Sequence, residues 1–253
     1  MKSNVKSSVL ALALLCSFMG QASTLSWSDD EALVRLLHSE YHGDFARLSN
    51  FHESQENKMF CGVATATTLL NALEIGSDSI PLDDSLISKE ERKYLPDGDW
   101  VPVFHKWTQN TVLSSQVKTK RQVLGKPIEG TDVKDYGLQL RQFAALLKVH
   151  GAKVDVHELK ELSAPETQKR VMIEALSSEN RYLAVNYSRQ AVGQKGGGHI
   201  SPVAAYDNDS DTFLILDVNT VDHMWHWMDA KELIKAMNTN DGEHYRGYII
   251  VSK

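Results

Sequence analysis

Two apolar runs separated by a cluster of turn-forming residues constrain the fold of this chain more than any other sequence feature. Residues 199–206 and 213–218 have the length and composition of strands, and Asp-Asn-Asp-Ser-Asp lies between them. This arrangement predicts an antiparallel hairpin. Residues 182–187 and 248–251 predict two more strands, so we expect an antiparallel sheet in the second half of the chain.

Helical patterns dominate the first half. Residues 61–73 are small or apolar at helical spacing, which predicts a helix that is buried on most sides. Residues 45–58 are polar and irregular, and residues 76–136 are predicted to be an elaborated insertion with two or three short helices. Helices preceding a sheet predict an α+β fold, with an N-terminal helical half packed on a C-terminal antiparallel sheet. The other helices are predicted at residues 28–41, 138–149, 165–176 and 230–237.

The N-terminus has the pattern of a secretory signal peptide. Lys2 and Lys6 precede an apolar run, residues 9–19, that is too short to span a bilayer as a helix. Small residues at Gly20 and Ala22 then suit a cleavage site. We therefore expect residues 1–22 to be removed, leaving residues 23–253 as a single catalytic domain. The product would be secreted or periplasmic, with no integral membrane segment.

Charge and cysteine content narrow the functional classes. The chain has 33 acidic and 27 basic residues, a net charge of −6, and no cluster of Lys or Arg, so no nucleic-acid partner is expected. Of its 2 cysteines, Cys16 lies in the expected signal peptide. The remaining Cys61 cannot form an intramolecular disulfide. A lone thiol in an exported protein needs a chemical explanation.

Cys61 is placed to act as a nucleophile. It begins the predicted helix, and a helix N-terminus stabilises a thiolate through its partial positive charge and unpaired N–H groups. Gly62 would let a substrate approach the backbone closely. The alternative for Cys61 alone is a buried cysteine that acts as a small hydrophobic residue.

Three further residues complete a possible acyl-transfer site. Gln55 lies just upstream of the cysteine, and this spacing resembles that of papain-like enzymes, in which such a Gln donates its amide to an oxyanion hole, a contact worth roughly 3 kcal/mol. His199 opens one predicted strand and would act as the base, while Asp217 ends the next strand and would orient the imidazole. Singly, each has an ordinary structural explanation. Their combination and order favour a cysteine transferase or peptidase with Cys61, His199 and Asp217 as its triad.

The residues around this constellation resemble one family, the phytochelatin synthases. Residues 55–73, QENKMFCGVATATTLLNAL, resemble the family's nucleophile segment, and residues 198–206 resemble its Gly-His-Phe-Ser-Pro strand. The similarity extends over most of the chain. Further matching elements are Asp217-Val218, His226-Trp227, Asp241 and residues 246–250.

The resemblance implies a papain-like cysteine proteinase fold and a reaction on glutathione. Cys61 would cleave the Cys–Gly bond, hold the γ-glutamylcysteinyl group as a thioester, and pass it to water or to a second glutathione, which gives phytochelatin. The resemblance also implies Gly198 and Asp241 as substrate-binding positions. No cofactor or resident metal is needed for the chemistry, although cadmium or zinc could take part as a glutathione thiolate or as an activator.

This sequence also departs from the family pattern. Thr220 stands where the family often has an arginine that helps to hold a charged peptide, and Asn57-Lys58 replaces the usual Glu-Pro. We therefore expect hydrolysis to exceed transfer. The oligomeric state is left open by the sequence.

Two alternatives remain at this point. A bacteriocin-processing cysteine peptidase uses the same residue order but usually has Asp-Pro after the triad Asp, where this chain has Asp217-Val218. The second alternative is a non-catalytic exported metal-binding protein, for which the candidate ligands are His223, His226, Asp222 and Asp229.

Overall fold

A computed structural model describes residues 24–76, 79–97, 101–160 and 164–253. The expected signal peptide, residues 1–22, lies outside the described residues. The helices are α1 Asp30–His38, α2 Phe45–Asn50, α3 Cys61–Ala72, α4 Lys89–Arg92, α5 Lys120–Val123, α6 Leu140–Val149, α7 Pro165–Leu176 and α8 Ala230–Met237, with a 3-10 turn at Gln190–Val192.

The strands are β1 Thr24–Ser26, β2 Lys153–Glu158, β3 Arg181–Ser188, β4 Gly198–Asp207, β5 Thr212–Ile215, β6 His226–Asp229, β7 Asn240–Asp241, β8 His244–Tyr245 and β9 Gly247–Ser252. Seven of these described strands form one antiparallel sheet in the order β1-β6-β5-β4-β3-β9-β2. The short strands β7 and β8 pair with each other.

Helices cover both faces of the sheet. Successive residues of each strand point to opposite faces, so each strand contributes side chains to two cores. Ala184 on β3 belongs to the core that the sheet shares with α1, α2, α3 and α6. Its neighbours Leu183 and Val185 belong to the core shared with α7 and α8. The α3 helix is enclosed on all sides, because every residue after Cys61 is buried, including the polar Thr65, Thr67, Thr68 and Asn71.

Contacts at one end of α3 fix the helix against the sheet. The Thr65 hydroxyl donates to the carbonyl oxygen of Ile200 on β4 at 3.1 Å. A side chain at Gly62 would lie 3.2 Å from Ile200 and from Leu138, so the missing Cβ allows the close packing. These contacts bring the N-terminus of α3 to the start of β4, the two places from which the sequence predicts the nucleophile and its base.

The α+β class is confirmed, as are the hairpin, α3, α6, α8 and the last strand. The separation into a helical half and a sheet half is incomplete, because β1 joins the sheet and α7 and α8 cover its other face. Two predictions are wrong in detail: residues 45–50 form α2, and β5 ends at Ile215, before Asp217. Residues 76–136 contain α4 and α5, as expected of an elaborated segment with short helices. In the described part of the chain, the helices are too short or too polar to cross a bilayer.

Candidate active site

Cys61 is the first residue of α3 and is partly buried at the wall of a cleft. No side chain caps this helix, so its first N–H groups stay directed at the thiol region. Burial raises the pKa of the Cys61 thiol, while the backbone N–H groups of Ile200 and Gly62 and the charge of Arg189 act in the opposite direction. The thiol is therefore neutral at rest and needs a base.

Gly62 has a different role from the predicted one. It is buried, and the space that a side chain would occupy is taken by Ile200 and Leu138. The close approach at this glycine is therefore made by the protein itself rather than by a substrate. Because Ile200 directly follows His199, this packing places Cys61 beside the predicted base.

His199 lies near the start of β4 and is held by its Nε2 atom. This nitrogen is 2.9 Å from Oδ1 of Asp217 and 2.7 Å from the hydroxyl of Ser201. An ionised carboxylate only accepts hydrogen bonds, so Nε2 carries the proton and Nδ1 is the basic nitrogen. Burial lowers the pKa of the His199 imidazole, against the opposing effect of Asp217. The ring is therefore neutral and able to accept a proton from a thiol.

Asp217 is fully buried in the segment that follows β5. Burial alone would raise the pKa of its carboxyl, but His199 and Arg189 hold that pKa well below its usual range. The backbone N–H of Asn219 donates to Oδ1 at 2.9 Å. Asp217 is therefore a buried anion whose Oδ1 lies 2.9 Å from Nε2 of His199, and it follows the strand instead of ending it.

Arg189 is a member of the site that sequence reasoning missed. It is 3% exposed, and its Nη2 atom lies 2.8 Å from both carboxylate oxygens of Asp217. A single arginine after a predicted strand carries no recognisable sequence signal. Only an energetic argument could have indicated a partner of this kind. A buried carboxylate loses its hydration, and a neutral imidazole alone does not offset that loss.

Gln55 lines the same cleft as Cys61. Its backbone N–H donates to the carbonyl oxygen of Val218 at 2.8 Å, which ties it to the segment that carries Asp217. Its side-chain Nε2 donates to the carbonyl oxygen of Asn57 at 2.9 Å. Because an amide nitrogen has a second hydrogen, one donor remains for a ligand. The Oε1 atom is buried and makes no hydrogen bond with any of the described residues.

The cleft has two cavities that share Cys61 and His199. The larger has a volume of about 590 Å³ and is bordered by Gln55, Lys58 and Lys195. The smaller has a volume of about 280 Å³ and is bordered by Asp241. The two cavities also share Lys58 and Gly198, so both adjoin the thiol of Cys61.

Gly198 and Asp241, the two predicted substrate-binding positions, both border the smaller cavity. Asp241 accepts hydrogen bonds from Nη2 of Arg246 at 2.9 Å and from Nδ2 of Asn186 at 3.3 Å. A Cβ at Gly198 would lie 2.7 Å from Nη2 of Arg246, so glycine leaves room for this guanidinium. The structure thus brings together every predicted site residue.

Two of the candidate metal ligands, His226 and Asp229, are engaged in other contacts. The two ring nitrogens of His226 contact the carbonyl oxygen of Met224 and the side chain of Gln194. Asp229 accepts from the backbone N–H of Glu232 and caps α8. Within residues 24–76, 79–97, 101–160 and 164–253, no group of 3 or more His, Cys, Asp or Glu side chains is arranged to hold a metal ion.

Comparison with known proteins identifies a matching family and several similar sequences. The family model described as phytochelatin synthase matches residues 21–84 and 88–248. Glutathione gamma-glutamylcysteinyltransferase 3 of Lotus japonicus is 32% identical over 211 residues, which cover 83% of this chain and 37% of the relative. Glutathione gamma-glutamylcysteinyltransferase 1 of Arabidopsis thaliana is 28% identical over the same shares. The Schizosaccharomyces pombe glutathione gamma-glutamylcysteinyltransferase is 24% identical over 87% of this chain and 46% of the relative. The chain thus spans less than half the length of these relatives.

Proposed function

This chain belongs to the phytochelatin synthase family, and we propose that it uses Cys61 to transfer the γ-glutamylcysteinyl group of glutathione. One observation carries the proposal: the thiol at the start of α3 shares a cleft with His199, whose Nε2 atom lies 2.9 Å from Asp217. A nucleophile, a base and an orienting carboxylate in this order are the parts of a covalent acyl-transfer site.

In the first half of the reaction, Nδ1 of His199 takes the proton from the Cys61 thiol. The thiolate attacks the carbonyl carbon of the Cys–Gly bond of glutathione, and the oxyanion is stabilised by the free amide hydrogen of Gln55 and the N–H groups at the start of α3. The imidazolium then protonates the glycine nitrogen. The C–N bond breaks, glycine leaves, and the γ-glutamylcysteinyl group remains as a thioester on Cys61.

In the second half, an acceptor attacks the thioester. Water yields free γ-glutamylcysteine, whereas the amine of a second glutathione yields a chain extended by one unit. His199 takes the proton of the attacking group and returns it to the sulfur of Cys61. Because the sequence has Thr220 in place of the family's arginine, we propose that hydrolysis is the faster outcome.

The two cavities suit the two ends of the substrate. Asp241 and Asn186 border the smaller cavity and can bind the ammonium and carboxylate groups of the γ-glutamyl end. Lys195 borders the larger cavity and Lys58 borders both, so their charges can attract the carboxylate of the leaving glycine or of an acceptor. The acyl group would then occupy the smaller cavity and the leaving group the larger.

Three further features belong to the proposal. A papain-like fold is supported by a cysteine on a buried helix that faces a histidine on an antiparallel sheet. Export of a single domain, residues 23–253, is supported by the charged and apolar pattern of residues 1–22. Cadmium or zinc would enter as a thiolate of glutathione, that is, as part of a substrate, or as an activator.

The proposal is tested with reduced protein and glutathione, with and without cadmium, and products identified by mass spectrometry. Free glycine is expected from the wild type and not from Cys61→Ala or Cys61→Ser. Free γ-glutamylcysteine marks hydrolysis, and a γ-glutamylcysteine dimer that ends in glycine marks transfer. If the wild type releases no glycine under either condition, the glutathione assignment is wrong and longer peptides become the substrates to examine.

A further inference from the structure

A second buried histidine lies close to the triad and has no part in the reaction as described. His226 begins β6 and is 4% exposed. Its Nδ1 atom is 2.9 Å from the carbonyl oxygen of Met224, and its Nε2 atom is 3.2 Å from Nε2 of Gln194. Both ring nitrogens therefore contact other parts of the protein. Gln194, the partner of Nε2, contacts Arg189, which in turn contacts Asp217.

The positions of the protons in this contact are determined by the partners. A carbonyl oxygen only accepts, so Nδ1 of His226 carries the hydrogen and Nε2 is the acceptor. Arg189 only donates, and its Nη1 atom lies 2.7 Å from Oε1 of Gln194. The amide oxygen of Gln194 must therefore face the arginine, which leaves its NH₂ group to donate to His226. Each proton assignment supports the next.

The chain of contacts ends at the triad. Arg189 donates to Gln194 through Nη1 and to both oxygens of Asp217 through Nη2. Oδ1 of Asp217 in turn lies 2.9 Å from Nε2 of His199. Gln194 thus fixes one end of the guanidinium whose other end holds the carboxylate.

We propose that His226 is a positioning residue whose neutral form fixes Gln194, so that Arg189 holds Asp217 in place for His199. The proposal rests on the proposed function only for the choice of glutathione as substrate. It concerns the geometry of the triad, which the reactivity of Cys61 reports without any substrate.

Protonation of His226 would reverse this arrangement. An imidazolium would direct an N–H at the NH₂ group of Gln194, and the amide would have to rotate. Its NH₂ group would then face Arg189, which would lose its contact with Oε1 of Gln194. The arginine would keep Asp217 and the hydroxyl of Tyr187, 3.3 Å from Nη1, beside a second cation.

The surroundings keep His226 neutral near pH 7. Burial lowers the pKa of its imidazole, and the charges of Arg189 and His223 act in the same direction. Asp217 and the carbonyl oxygen of Met224 act in the opposite direction. The nearby ring of His199 is itself neutral, and its basicity is reduced by His226. Disruption is therefore expected only at acid pH, where the Arg189 contact would fail together with the triad.

The test uses three variants and two measurements. His226→Leu removes the acceptor, whereas His226→Gln can place an amide oxygen at the position of Nε2 and cannot be protonated. His157→Gln changes a histidine on β2, at the opposite edge of the sheet, and is the matched control. Each protein is assayed for the rate of Cys61 alkylation by iodoacetamide across pH 4–9, and for kcat and KM in glycine release from glutathione.

We expect His226→Leu to lower kcat about 10-fold with little change in KM, since one hydrogen bond of a charged network is lost. Its alkylation profile should move along the pH axis. His226→Gln should restore most of kcat and retain more reactivity on the acid side than the wild type. Equal behaviour of the two variants, or an unchanged alkylation profile in His226→Leu, would overturn the proposal.

Gln194→Glu keeps the proposal testable if His226→Leu does not fold. A carboxylate at this position accepts from both neighbours and favours the imidazolium, so the acid limb of the alkylation profile should move to higher pH. An unmoved acid limb contradicts the proposed role. If the wild type releases no glycine at all, the proposed function fails, while the alkylation profiles still decide the role of His226.

Discussion

Replacement of Asp44 by asparagine should make the stability of this protein much less dependent on pH. Asp44 immediately precedes α2, is 6% exposed, and its Oδ2 atom makes no hydrogen bond within the described part of the chain. Burial raises the pKa of this carboxyl from 3.8 to about 8. The folded protein therefore holds a proton at pH 7 that the unfolded chain has released.

The sign and size of the effect follow from this difference. Between the two pKa values the folded state binds more protons, so the free energy of unfolding falls as the pH rises, by about 1.4 kcal/mol per pH unit. From pH 5 to pH 7 the wild type should lose about 2 to 3 kcal/mol through Asp44. Asparagine has a similar shape and does not titrate, so Asp44→Asn should lack this loss.

Urea unfolding at pH 5 and pH 7 gives the change in the free energy of unfolding between the two pH values, and this change is compared between Asp44→Asn and the wild type. Any constant cost of asparagine cancels, because only the change with pH is compared between the two proteins. Asp209→Asn, an exposed position in the turn between β4 and β5, is the control and should follow the wild type. If Asp44→Asn and the wild type lose the same free energy from pH 5 to pH 7, the buried carboxyl is ionised in the folded protein and the reasoning is refuted.

Three further variants test the site. Gln55→Ala should lower kcat for glycine release about 100-fold through loss of an oxyanion donor, and an unchanged kcat would remove Gln55 from the oxyanion hole. Arg189→Met should lower the free energy of unfolding by about 3 kcal/mol, measured in urea, because Asp217 stays buried without its bidentate partner. Gly198→Ala places a Cβ 2.7 Å from Nη2 of Arg246 and should raise the KM for glutathione more than it lowers kcat. An equal KM would mean that the guanidinium moves aside without affecting substrate binding.

Local patterns account for the parts of the fold that were predicted. The residues of α3 are small or apolar around the whole helix, a pattern typical of a buried helix. The β4–β5 hairpin is determined by two apolar runs and the turn between them. These elements carry Cys61 and His199, so the positions of the proposed nucleophile and base followed from local sequence.

The parts that were missed depend on contacts distant in sequence. Strand β1 has three residues and pairs with β6, which lies near the other end of the chain, so neither strand shows a clear pattern on its own. The ion pair between Arg189 and Asp217 links the residue after β3 to the loop after β5. Gly62 was assigned to substrate because its neighbours Ile200 and Leu138 become visible only in three dimensions.

The interior position of β9 has a consequence for how the molecule is made. Gly247–Ser252 pairs with β3 on one side and with β2 on the other, and β2 has no other partner among the described strands. A ribosome synthesises β2 and β3 well before β9. Because β9 lies between them, β2 can join the sheet only late in translation. Until then α6, which packs on β2 and β9, has no complete surface to pack on. Nascent chains released before Gly247 should therefore leave β2 without its partner strand and part of the apolar face of α6 uncovered.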